Sequence, residues 1–208
     1  MKTLQGLTTS ETLLLIPCSK TKRTGGDSAR AETAPWPPEL LTARRNNRAL
    51  ANVDDRQLMP AWRRYNGKFY VAAEEALREA VSQEAPLLIL SGGYGLLHPQ
   101  EPIGDYNKIM RLSDWPSGLL EELLISEARR RSVSSVVAFA ATTSDYAKLI
   151  RRTPWKQADI SAFLVTIKDA GKGASGKVPR QLGKAFTCFW QGQPADSYPK
   201  DVTAVPLE

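Results

Sequence analysis

Apolar residues in this chain fall into two patterns, short unbroken runs and stripes spaced three or four residues apart, and the two alternate along the sequence. The runs are TLLLIPC (12–18), PLLIL (86–90), SSVVAFAA (134–141) and residues 160–167. Each is closed by Pro, Gly or polar residues, as a strand covered on both faces would be. The stripes predict helices over 39–50, over 60–81 with a break at Gly67, and over 116–131, 146–152 and 179–190. Residues 20–38 hold Gly25-Gly26 and several prolines without periodicity, so a long loop or lid is expected there. An irregular tail is expected over 191–208. Strands alternating with helices imply one α/β domain over 1–208. Its central sheet is expected to be mainly parallel or mixed and flanked by helices, with the ligand crevice beyond the carboxyl ends of the strands.

Composition narrows the class. The 208 residues are 42% hydrophobic and 24% charged, which argues for a folded chain rather than disorder. No window approaches the roughly 18 apolar residues of a membrane span, and residues 1–10 lack the apolar core of a secretory signal. No membrane partner and a cytoplasmic location are therefore expected. The chain has 2 Cys, far apart at Cys18 and Cys188, and 1 His, His98. That excludes a secreted disulfide framework, a Cys/His zinc site and the usual iron ligands, so no metal and no cofactor are expected. A GxxxxGK[ST] loop is absent, which disfavours a nucleoside triphosphatase. The net charge of +6 favours an anionic partner if the basic residues share a face.

Three polar clusters fall just past expected strand ends: Cys18-Ser19-Lys20-Thr21-Lys22, Ser91-Gly92-Gly93-Tyr94-Gly95, and Thr142 to Tyr146. A parallel sheet would gather them on one edge. Lys20 with Ser19 can anchor a phosphate, with Cys18, Thr21 and Lys22 beside them. Asp105 is a candidate general base, and Tyr106 or Tyr94 can hold a base by stacking or hydrogen bonding. Ser91, Gly92, Gly95, Ser144, Asp145 and Tyr146 complete the expected substrate-binding set. Basic clusters include Arg23, Arg44-Arg45-Arg48, Arg63-Arg64-Lys68, Lys108, Arg151-Arg152-Lys156 and Lys168-Lys172-Lys177-Arg180-Lys184, with Trp36, Trp62 and Trp155 interleaved. Phosphate neutralisation and base stacking need that mixture.

IPCSKTK (16–22), YNGKFY (65–70), LSGGYGLLHPQEPIGDYNKIM (90–110) and TTSDYAKL (142–149) resemble, in order and spacing, the peroxide stress proteins of the YaaA type and their smaller relatives. The resemblance implies an α/β fold with a positively charged cleft, DNA binding and protection of DNA from oxidative damage. It also implies a helix-hairpin-helix-like turn near 91–106, of the kind DNA glycosylases use to clamp backbone phosphates. Positions matching the family here are Lys20, Thr21, Gly67, Tyr70, Ser91, Gly92, Tyr94, Gly95, Pro99, Tyr106, Tyr146 and Lys148. The chain departs from the longer family members in its length and in Cys18-Ser19 before the lysine.

Three functions compete. The first is a nucleic-acid-binding protein, with DNA as partner, acting on a damaged or modified base through its N-glycosidic bond. The second is a small-molecule nucleotide or nucleoside enzyme that uses Asp105 as its carboxylate. The third is a ligand-binding protein without chemistry.

Overall fold

A computed structural model describes residues 1–27, 36–167 and 174–207. Its central sheet has six strands: β1 (Thr12–Pro17), β3 (Leu87–Ser91), β4 (Gly95–Leu97), β6 (Ser135–Phe139), β7 (Ser161–Ile167) and β8 (Val202–Leu207), in the order β4-β3-β1-β6-β7-β8. β3, β1, β6 and β7 run parallel, while β4 and β8 pair antiparallel at the two edges. The α/β architecture expected from the alternating runs is the one observed.

The two-residue period of a strand sends neighbours to opposite faces, and both faces here are covered. Leu14 and Ile16 of β1 face one cluster with α3 (Lys68–Ala72), α4 (Glu74–Ser82) and α7 (Ala174–Trp190). Leu13 and Leu15 face the other with α1 (Pro38–Ala51), α5 (Leu119–Arg130) and α6 (Asp145–Arg152).

Chain order along the parallel strands reverses at β1, whose neighbours are β3 on one side and β6 on the other. Loops leaving β1 and β6 therefore part to opposite faces and leave a crevice at their carboxyl ends.

Several elements differ from expectation. The helix expected over 60–81 is three pieces, α2 (Ala61–Arg64), α3 and α4. The first break exists because Tyr65 takes an extended conformation and bridges Lys22. β2 (Asp54–Pro60) pairs with β5 (Pro102–Asp105) in a separate two-stranded ribbon; its sequence, DDRQLMP, carries no apolar alternation to announce it. The tail expected to be irregular supplies β8, which pairs with β7 along its full length. Helix α5 starts later than expected because Gly118, at φ +81, closes the preceding turn. Residues 91–106 run as a turn, β4, a second turn and β5. Of the expected lid over 20–38, residues 28–35 lie outside the described residues, as do Lys168 and Lys172. No helix among the described residues is long and apolar enough to cross a membrane.

Candidate functional site

At the crevice between β1 and β6 lies a cavity of about 340 Å³. The end of β1 contributes Cys18, Ser19, Lys20 and Thr21; the loop after β6 and the start of α6 contribute Ser144 and Tyr146. The sharp turn before α3 contributes Gly67 and Lys68, and Phe69, Val178 and Leu182 form an apolar floor. A Cβ at Gly67 would meet the Ser19 hydroxyl, which would have to turn away from its present position. Lys20 and Lys68 are exposed on the rim. Ser144 caps α6, accepting from the Ala147 N–H at 3.3 Å while donating to the Ala141 carbonyl at 2.7 Å.

The Cys18 Sγ lies 3.0 Å from the Tyr146 Oη. Behind it Tyr65, Tyr106 and Ser91 form a closed hydroxyl cluster: Tyr65 to Tyr106 at 2.8 Å, Ser91 to Tyr106 at 2.9 Å, Tyr65 to Ser91 at 3.3 Å. Burial pushes the phenols of Tyr65, Tyr70, Tyr106 and Tyr146 well above their ordinary range, so all four are neutral hydroxyls at neutral pH. Lys22 stands over the Tyr106 ring, its Nζ 3.9 Å from the centroid, and donates to the Ser19 carbonyl at 3.2 Å. Its pKa is lowered, first by burial; the nearby Cys18 and Asp105 raise it in part. Lys22 thus stands within electrostatic reach of both groups.

The structure gathers Cys18, Ser19, Lys20, Thr21, Lys68, Ser144 and Tyr146 in one cavity, with Tyr106 and Lys22 beside it. Other expected residues have different places. Tyr70 is buried and donates to the Pro17 carbonyl at 2.9 Å, bracing the end of β1. Ser91 is fully buried and accepts from the N–H groups of Gly93 at 3.3 Å and Tyr94 at 3.1 Å. Gly92 lies so close to the main chain of Lys108 to Met110 that no side chain fits, and Gly95 is a left-handed residue packed under Leu40, Trp115 and Leu120. The Tyr94 hydroxyl accepts from Gly104 N–H at 3.0 Å and lines a different groove, beside Arg45 and Arg48.

Asp105 is exposed in another cavity, with Asp54, Arg56 and Arg64, that shares no lining residue with the Cys18 pocket. Asp145 accepts from Leu112 N–H at 3.0 Å and from Lys148 at 2.7 Å, which holds it low in pKa and away from the cavity lining. Among the described residues no carboxylate lines the Cys18 pocket and no group of three His, Cys, Asp or Glu could hold a metal ion.

The basic residues divide similarly. Lys108 pairs with Asp114 at 3.0 Å, Lys177 with Asp201, and Arg23 with Glu74 at 3.5 Å. Arg44 is built into the interior against Glu101 and the carbonyls of Tyr94 and Leu96. Arg151 donates to the Thr142 carbonyl at 2.9 Å. Arg180 and Lys184 stand exposed on α7, the helix that supplies the pocket floor. Trp36 and Trp155 belong to the core, which leaves Trp62 as the partly exposed ring of that set.

Two groups had no signal in the linear sequence. The floor residues Val178 and Leu182 reach the pocket only because α7 packs on α3. Arg64, in a run of basic residues, is fully buried and donates to the carbonyls of Arg23 at 2.7 Å, Gly25 at 2.9 Å and Gln57 at 2.6 Å. It ties the loop after β1 to β2. No family model matches this chain, and no curated protein matches it.

Proposed function

We propose that the chain is a YaaA-like protein that binds nucleic acid, DNA in the first instance, and holds one nucleotide unit in the pocket between β1 and β6. One observation carries this reading: a single cavity joins an apolar floor of Phe69, Val178 and Leu182 to a rim bearing Lys20, Lys68 and the hydroxyls of Ser19 and Thr21. A base buries its faces on such a floor, and phosphates exchange their counterions for lysines on such a rim. Its position at the topological switch point is where open α/β sheets bind ligands. Arg180 and Lys184, on the floor-forming helix, extend the basic surface.

Titrating a labelled single-stranded oligonucleotide over a salt series tests this. Affinity should fall steeply with salt. The double variant K20A/K68A should weaken binding and lower the log–log slope by about 1.4, since each phosphate contact on a single strand contributes roughly 0.7. Binding that is absent at low salt, or a slope unchanged in the variant, overturns the reading.

The arrangement around Lys22 favours a second reading, in which the bound base is also processed by cleavage of its N-glycosidic bond. Lys22 stands over the ring of Tyr106, next in sequence to Asp105, and both Cys18 and the Asp105 carboxylate favour its charged form. A scissile sugar beside Lys22 would meet that carboxylate from outside the base pocket.

A further inference from the structure

We infer that the protein holds a second, adjacent nucleotide in the cavity beside Trp62, so that its ligand is a single-stranded polynucleotide and not a free nucleotide. The inference rests on the nucleotide reading of the Cys18 pocket and extends it.

This second cavity, of about 420 Å³, is lined by Arg23, Trp62, Arg63, Asn66, Glu74 and Arg78 among others, and shares none of these with the Cys18 pocket. Its charge is unbalanced. Arg23 and Arg78 share the one lining carboxylate, Glu74, at 3.5 and 3.9 Å, and Arg63 has no ion-pair partner among the described residues. Three guanidinium groups around one carboxylate leave room for a phosphate, which the planar fork of Arg matches.

Trp62 offers the stacking surface. Its indole N–H is tied to the Gln100 side chain at 3.2 Å, which orients a ring that stays partly exposed. A stacking surface and guanidinium groups together recognise a nucleotide.

The two cavities adjoin. Asn66 lines one and Gly67 the other, and consecutive Cα atoms are only about 3.8 Å apart. On the facing segment Thr21 lines the first pocket and Arg23 the second, and the two segments are stitched by Arg23 N–H to the Arg64 carbonyl at 2.7 Å and Asn66 N–H to the Thr21 carbonyl at 3.3 Å. This narrow ridge would separate two successive bases splayed into different cavities, a geometry open to a single strand and closed to a stacked duplex.

The test compares the four deoxynucleoside monophosphates with a mixed-sequence strand of about sixteen nucleotides, single and in duplex, at low salt. The single strand should bind at least about tenfold more tightly than any monophosphate and than the duplex. Trp62→Ala should remove most of that gain while a monophosphate still shields Cys18, in the first pocket, from alkylation, whereas Lys20→Ala weakens both ligands. Arg63→Ala, at an exposed position with no ion-pair partner among the described residues, should show the same pattern and guards against a folding defect in the tryptophan variant. If monophosphates bind but the strand gains nothing, or if its gain survives in both variants, the second subsite is overturned while the first pocket stands. A duplex that binds as well as the strand also overturns it. If neither ligand binds, both proposals fall.

Discussion

Cys18 Sγ and Tyr146 Oη stand 3.0 Å apart across 128 positions of sequence. The contact joins the end of β1 to the first turn of α6 across the switch point, and it puts a thiol on the wall of the candidate pocket.

A bound single strand should therefore shield Cys18 from an alkylating reagent while leaving Cys188, which lies on α7 against the Ser197 carbonyl, equally reactive with and without ligand. Peptide mass spectrometry after a timed maleimide pulse measures both sites in one sample. Equal protection of the two cysteines, or protection of neither, would place the ligand elsewhere.

Asp105 tests the second reading. Asp105→Asn should leave oligonucleotide affinity within about twofold, because the carboxylate lies outside the base pocket. If the protein releases a base, the same change should reduce single-turnover release by about 10²-fold or more, the loss typical of a removed general base. Release that persists at the native rate removes Asp105 from the mechanism.

Arg44 and Glu101 form an ion pair beneath the glycine turn, their side chains 11% and 3% exposed. Glu101 also accepts from the Trp36 indole N–H at 2.7 Å, and Arg44 donates to the Tyr94 carbonyl at 2.8 Å. Arg44→Met should destabilise the fold by about 3–5 kcal/mol, because it strands a buried carboxylate. Urea denaturation with an unchanged m-value measures the loss; a change under about 1 kcal/mol would mean that water or another cation compensates.

His98 gives the fold a pH dependence. It stacks on Trp36 with ring centroids 4.6 Å apart, with Glu127 at 3.7 Å from its Nε2. Burial, the largest influence, lowers its pKa below the ordinary 6.5, against the pull of Glu127 and Glu101 and with Arg130 and Arg131 adding to the depression. The unfolded chain then binds the proton more readily than the folded one. The neutral-histidine contribution is complete above the unfolded pKa and is lost as pH falls through 6.5 toward the folded value. The difference in Tm between the native chain and His98→Gln should shrink from pH 7.5 to pH 5. A constant difference would mean that His98 keeps its unfolded pKa.

The parallel strands β1, β3, β6 and β7 were legible because a strand covered on both faces must be apolar at nearly every position, as TLLLIP and LLILS are. β2 was not, because a ribbon strand outside the main sheet needs only ladder partners, which β5 supplies from nearly fifty residues away. The Cys18, Ser144 and Tyr146 grouping was legible for a topological reason: residues just past parallel strand ends meet at one edge. The same rule did not bring Asp105 and Tyr94 into that pocket: Tyr94, in the turn between β3 and β4, accepts from the Gly104 N–H and lines the groove beside Arg48, and Asp105, at the end of β5, lines the cavity of Asp54, Arg56 and Arg64. The unusual run from Leu90 to Met110 is built for close approach, with Gly92 admitting the main chain of Lys108 to Met110 and Asn47 donating to the carbonyls of Gly92 and Gly93 at 3.0 and 3.1 Å.

By itself, then, the sequence determined the alternating α/β architecture and the edge of the sheet where a ligand site could form, since both follow from local periodicity and from the direction of parallel strands. Which lysines and arginines remain available to a phosphate, which tyrosines are sealed in the interior, and that α7 supplies the pocket floor were decided only by tertiary structure. A side chain's partners come from distant segments, and the burial and hydrogen bonds those segments impose decide whether a charged or polar group supports the fold or faces a ligand.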